Sequence, residues 1–160
     1  MNLFKDGFAE PTANFPEKLL QEIIKGFPTA TNGLAQLDLI EQTKRGKVNL
    51  IGGLNNNFQF KVVLTSSYLK GYSFTVFEFG YDVTIYPAFI EVSEEVGDEL
   101  PGENWFAAGA LEIHIEQNED SYIISCGNEE AFKAVLVSIF DTDKFTTTVG
   151  GLMKIARSKA

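Results

Sequence analysis

From Phe58 to Cys126 apolar side chains keep returning at every second position, a period that fits strands and not helices. In 57–65, Phe58, Phe60, Val62 and Leu64 alternate with Gln59 and Lys61. Residues 72–79 are β-branched and aromatic, and Phe79-Gly80-Tyr81-Asp82 is expected to turn the chain into a third strand running to about Val92. Pro87 has no N–H to give a ladder, which predicts an edge or a bulge for that strand. Segments 110–117 and 121–126 read as a hairpin around Asn118-Glu119, with Leu111, Ile113 and Ile115 toward the core and Glu112, His114 and Glu116 outward.

Helical periods bracket this run. Phe15, Leu19, Leu20, Ile23, Ile24 and Phe27 recur at helical spacing behind Pro16, which loses nothing at a helix start, and Gly26 ends the segment. Residues 28–33 are turn-rich. Residues 34–45 admit a helix stripe through Leu34, Leu37 and Ile40, but a hairpin of 36–43 with 47–52 is the preferred reading. Asn128 is placed to cap a helix opening with Glu129-Glu130, and Asp141 or Thr142 to cap a last helix carrying Phe145, Val149, Leu152, Met153 and Ala156 inward. Residues 1–14 read as a short tail packed by Phe4 and Phe8, and 93–109 as an acid-rich loop. The expectation is one domain over 1–160. It is α+β, with an antiparallel sheet of about five to seven strands, one N-terminal helix and two C-terminal helices.

Charge along the chain is segregated. The 62 residues from Gly71 to Phe132 hold 14 acids and no Lys or Arg, giving −14, while the flanks are net +5 and the whole is −9. Such a chain is repelled by nucleic-acid phosphates and attracts basic partners. No apolar run approaches the roughly 20 residues that cross a bilayer, and the N-terminus has no secretory signal pattern. A single cysteine, Cys126, rules out an internal disulfide and fits a reducing, cytoplasmic home.

Chemistry-bearing constellations are few. Glu112, His114 and Glu116 share a strand face, but alternate strand positions lie nearly ~7 Å apart, too far for one metal ion without further ligands. Opposed residues of the 110–126 hairpin should sum to an odd number, such as 114 with 123. That puts His114 and Cys126 on opposite faces, leaving the thiol buried and inert. The acids Glu91, Glu94, Glu95, Asp98 and Glu99 lack the calcium-loop spacing, and the glycines match no nucleotide-binding pattern. No catalytic residue, cofactor site or metal site is assigned.

What is left is an acidic docking surface for a basic protein. Its expected residues are Glu94, Glu95, Asp98, Glu99 and Glu103 of the loop, Trp105 as aromatic anchor, and Glu112 and Glu116 of the strand face. With its basic-free stretch 71–132, the run Glu94-Glu95-Val96-Gly97-Asp98-Glu99 and no catalytic motif, the chain resembles, in overall type, the small acidic immunity proteins of bacterial contact-dependent and other polymorphic toxin systems. The resemblance implies a cytosolic, non-enzymatic protein that neutralises a basic toxin, such as a nuclease, by direct binding. Two alternatives stay open: a generic protein-interaction domain, and a small-molecule-binding protein or enzyme with an unrecognised site.

Overall fold

The computed structural model describes residues 7–42, 54, 56–102 and 112–160. Its architecture is α+β: one six-stranded antiparallel sheet, with helices before it and two long helices after it. The chain runs α1 (Pro16–Ile24), α2 (Phe27–Ala30), β1 (Gln36–Gln42), β2 (Phe58–Thr65), β3 (Phe74–Tyr81), β4 (Ala88–Ser93), α3 (Glu94–Glu99), β5 (Ile113–Gln117), β6 (Ser121–Cys126), α4 (Glu129–Phe140) and α5 (Asp143–Lys159). The strands lie in the order β1-β2-β3-β4-β6-β5.

Local chemistry sets the helix ends as expected. Pro16 opens α1; the Asn128 side chain accepts from the Ala131 N–H at 2.8 Å, and Thr142 Oγ1 accepts from Phe145 N–H at 3.3 Å. Each cap satisfies one of the N–H groups a helix start leaves unpaired. Arg157 and Lys159 stand in the last turn of α5, where the dipole favours positive charge.

The two-residue period puts Phe60, Val62, Leu64, Phe77, Phe79, Ile90 and Ile124 on one face of the sheet, under α4 and α5. A chain of aromatic contacts threads this core. Phe60 stacks on Phe79 at 5.1 Å, Phe79 meets Phe132 of α4 edge-on at 5.6 Å, and Phe140 meets Phe145 edge-on at 5.1 Å. Such pairs contribute about 0.5–1.5 kcal/mol each beyond simple burial. Cys126 is fully buried on this face, and burial pushes its thiol well above the ordinary range.

Several sequence expectations are corrected. Pro87 does not lie inside a strand: it ends the turn after β3, and β4 begins at Ala88 as an interior strand between β3 and β6. The Tyr86–Pro87 peptide is cis, and the turn holds Ile85 at a φ of 71°. Residues 94–99 are not loop but helix α3, because Ser93 accepts from the Val96 N–H and Val96 is buried. Strand β1 forms, but its partner is β2, paired from Gln36↔Thr65 to Gln42↔Gln59; residues 47–52 of the expected hairpin lie outside the described residues. Residues 28–30 of the stretch read as a turn belong, with Phe27, to the short helix α2. Phe8 of the expected tail is 81% exposed, and Phe4 lies outside the described residues. The β5–β6 hairpin has the expected odd-sum register, with His114 opposite Ser125 and not 123.

Candidate functional site

Half of the acids of the basic-free stretch, those of α3 and of the turn end of the β5–β6 hairpin, meet around one end of the sheet. Helix α3 follows β4 directly, and the Glu94 N–H donates to Asp120 O at 3.2 Å, which holds the β5–β6 turn beside the start of α3. Glu94, Glu95, Asp98, Glu99, Glu116, Glu119 and Asp120 are all exposed there, whereas Glu112, also exposed, lies at the opposite end of the β5–β6 hairpin, where its carbonyl accepts from the Gly127 N–H, and is not part of this group. Glu103 and Trp105 lie outside the described residues.

Three acids of α3 are already engaged inside the molecule. Both oxygens of Glu99 accept backbone N–H bonds from the first turn of α5, Asp143 at 2.6 Å and Lys144 at 2.9 Å. Glu95 pairs with the Lys144 ammonium at 3.0 Å, the one ion pair among the described residues. Asp98 accepts from the Tyr122 hydroxyl at 2.5 Å, and that bond is the main cause of the raised Tyr122 phenol. Gly97 makes the last contact possible: a Cβ there would overlap the Tyr122 ring. The run Glu95–Glu99 is thus a clamp that ties α3 to α5 and β6. Glu94, Glu116 and Glu119 carry no such side-chain bond and face solvent among the described residues.

On the sheet face away from the helices, Glu78 and Glu91 stand directly opposite across β3 and β4. The strands pair only from Gly80↔Phe89 to Glu78↔Glu91 and then part, because β3 bulges at Val76: Val62 faces Phe77 while Val63 faces Thr75. The fork forms a groove of about 280 Å³ bounded by Glu78, Glu91, Ser93 and Ser121. Burial raises the Glu91 carboxyl, the Ser121 hydroxyl bond at 3.0 Å opposes this, and the facing Glu78 raises it further.

A larger cleft, about 420 Å³, opens where the start of α1 and the 82–87 turn meet β1, β2 and β3. Tyr81 lies at its centre, with Phe58, Phe60 and Phe15 rings 5.4, 6.1 and 6.4 Å from its own. Its hydroxyl donates to Glu17, both of whose oxygens lie at 2.8 Å. Burial first, then Glu17 and Glu41, push the phenol far above its ordinary range. Asp82 completes the rim, accepting from Asn57 N–H at 2.8 Å. Sequence reasoning passed over this cleft because its residues come from four separate stretches, and Glu17 and Glu41 fall outside the acidic run. The only hint was a run of phenylalanines on strand positions.

His114 is exposed and, by register, on the opposite face from buried Cys126, so the two do not form a dyad. Among the described residues no group of three or more potential ligands is arranged to hold a metal ion, and no helix is long and apolar enough to cross a membrane. Compared with family models, curated proteins and solved structures, the chain matches none.

Proposed function

We propose that this chain is a cytoplasmic, non-enzymatic binding protein that docks a basic protein partner on its acidic sheet end, as the immunity proteins it resembles dock their toxins. The observation that supports the reading is the gathering of exposed carboxylates from α3 and the β5–β6 hairpin on one end, with Lys144 the one base paired among them. Uncompensated charge of one sign costs the fold self-repulsion, and a complementary partner removes that cost on binding. Glu94, Glu116 and Glu119 steer the encounter, so their effect falls mainly on the association rate and its salt dependence. Because Glu95, Asp98 and Glu99 also hold α3 in place, they contribute field and shape together.

The test is affinity capture from the native host, comparing the wild type with a Glu94→Lys, Glu116→Lys, Glu119→Lys variant whose changed side chains have no internal bond to lose. The expected result is a basic protein retained by the wild type, released as salt screens the surface charges, and lost by the variant. A partner held equally by both proteins at all salt concentrations removes the acidic end from the interface.

A further inference from the structure

The cleft around Tyr81 lies on the β1–β2–β3 half of the sheet, away from the acidic end, and its chemistry is different. It combines exposed aromatic faces with carboxylates that, among the described residues, no cation neutralises. Phe15 is 44% and Phe58 39% exposed, although each ring packs on Tyr81. Glu17, Glu41 and Asp82 stand on its rim, and among the described residues none is ion-paired. The Lys18 ammonium lies 5.7 Å from the Phe15 ring centroid, so this ring accepts a positive charge over its face.

We propose that this cleft is a binding site for a single cationic side chain, Lys or Arg, presented by a partner polypeptide. The methylene stem of such a side chain lies along Phe15 and Phe58 above buried Tyr81, removing the exposed faces of the two phenylalanines from water, while the charged head reaches Glu17, Glu41 and Asp82. An anionic occupant is repelled by three carboxylates, and a purely apolar one leaves them desolvated without a partner. A cation with an apolar stem is the chemistry that satisfies both walls. The site is independent of the acidic sheet end, and either can fail without the other.

The test is an NMR titration of the intact protein with a blocked tripeptide, acetyl-glycyl-arginyl-glycinamide, and with its uncharged citrulline counterpart. The expected result is saturable movement of the Phe15, Phe58, Tyr81 and Val83 signals, with a dissociation constant on the order of 1 mM for so small a probe. The citrulline peptide should bind at least about fivefold more weakly. Glu41→Gln, on an exposed side chain, and Phe58→Ala should each weaken the arginine peptide about threefold to tenfold. Equal binding of the two peptides overturns the proposal, as does movement confined to the α3 and β5–β6 signals. Saturation by free butylammonium but not by the peptide also overturns it, because the occupant is then a small amine and not a polypeptide side chain.

Discussion

The α3 segment and the Tyr81 cleft are both acidic, but they differ in what stands beside their carboxylates: an ion-pairing lysine and a helix start at α3, exposed aromatic rings at the cleft. At α3, Glu95, Asp98 and Glu99 each have a partner within the fold, so charge there is structural before it is anything else. At the cleft, Glu17 and Asp82 take neutral donors as Asp98 and Glu99 do, but among the described residues no carboxylate there is ion-paired and the Glu41 side chain has no internal donor. A high density of acids in a sequence therefore does not locate a binding site. What matters is which acids the fold has left without a counter-charge, and beside what surface.

The comparison breaks most readily at Gly97. Gly97→Ala forces a methyl group into the Tyr122 ring, and overpacking of this kind destabilises by roughly 2 kcal/mol. Urea denaturation should show it, together with loss of α3 signals; an unchanged midpoint means that α3 is not clamped as described. Next in size is the contrast of Glu99→Gln with Glu41→Gln. The first removes a charge from the N-terminus of α5 and should cost about 1 kcal/mol. The second should leave stability unchanged within about 0.5 kcal/mol, because the Glu41 side chain is exposed and among the described residues accepts no hydrogen bond and joins no ion pair. If the two variants unfold at the same denaturant concentration, the division between structural and free acids is wrong.

A smaller effect, of opposite sign, is expected at Glu91. Its carboxyl is raised in the fold, first by burial and then by facing Glu78. A raised acid adds stability that is fully present below the ordinary glutamate value of about 4.3 and is lost as pH rises through the folded value. Glu91→Gln keeps an acceptor for Ser121 and removes the repulsion. It should stabilise the protein at neutral pH by less than about 1 kcal/mol and flatten the pH dependence just above the ordinary range. Destabilisation by this variant at pH 7 would falsify the account of the pair. Smallest is Glu95→Gln, which breaks the surface pair with Lys144; below about 0.5 kcal/mol is expected, vanishing in high salt.

Much of the fold was legible because its signals are local. A two-residue period names a strand wherever one face is buried, and Asn128, Thr142 and Pro16 mark helix starts through bonds made within a few residues. The acid-rich segment misled for the same reason. Five charged or small residues in six suggest a loop, yet one buried Val96 and the Ser93 cap suffice for a helix once a core is there to receive it. The candidate site was legible only as a charge, since the sequence cannot show which acids find internal donors.

By itself, then, the amino-acid order determined the α+β class, the antiparallel hairpin of β5 and β6, the burial of Cys126 away from His114, and the segregated charge. Each follows from spacing along the chain. The interior position of β4, the opposition of Glu78 and Glu91, the capture of Glu99 by α5 and the meeting of Phe15, Glu41, Phe58 and Tyr81 were decided only by tertiary structure. Those contacts join residues far apart in sequence. Their geometry is set by strand order and by helix packing on the shared core, and no local period encodes either.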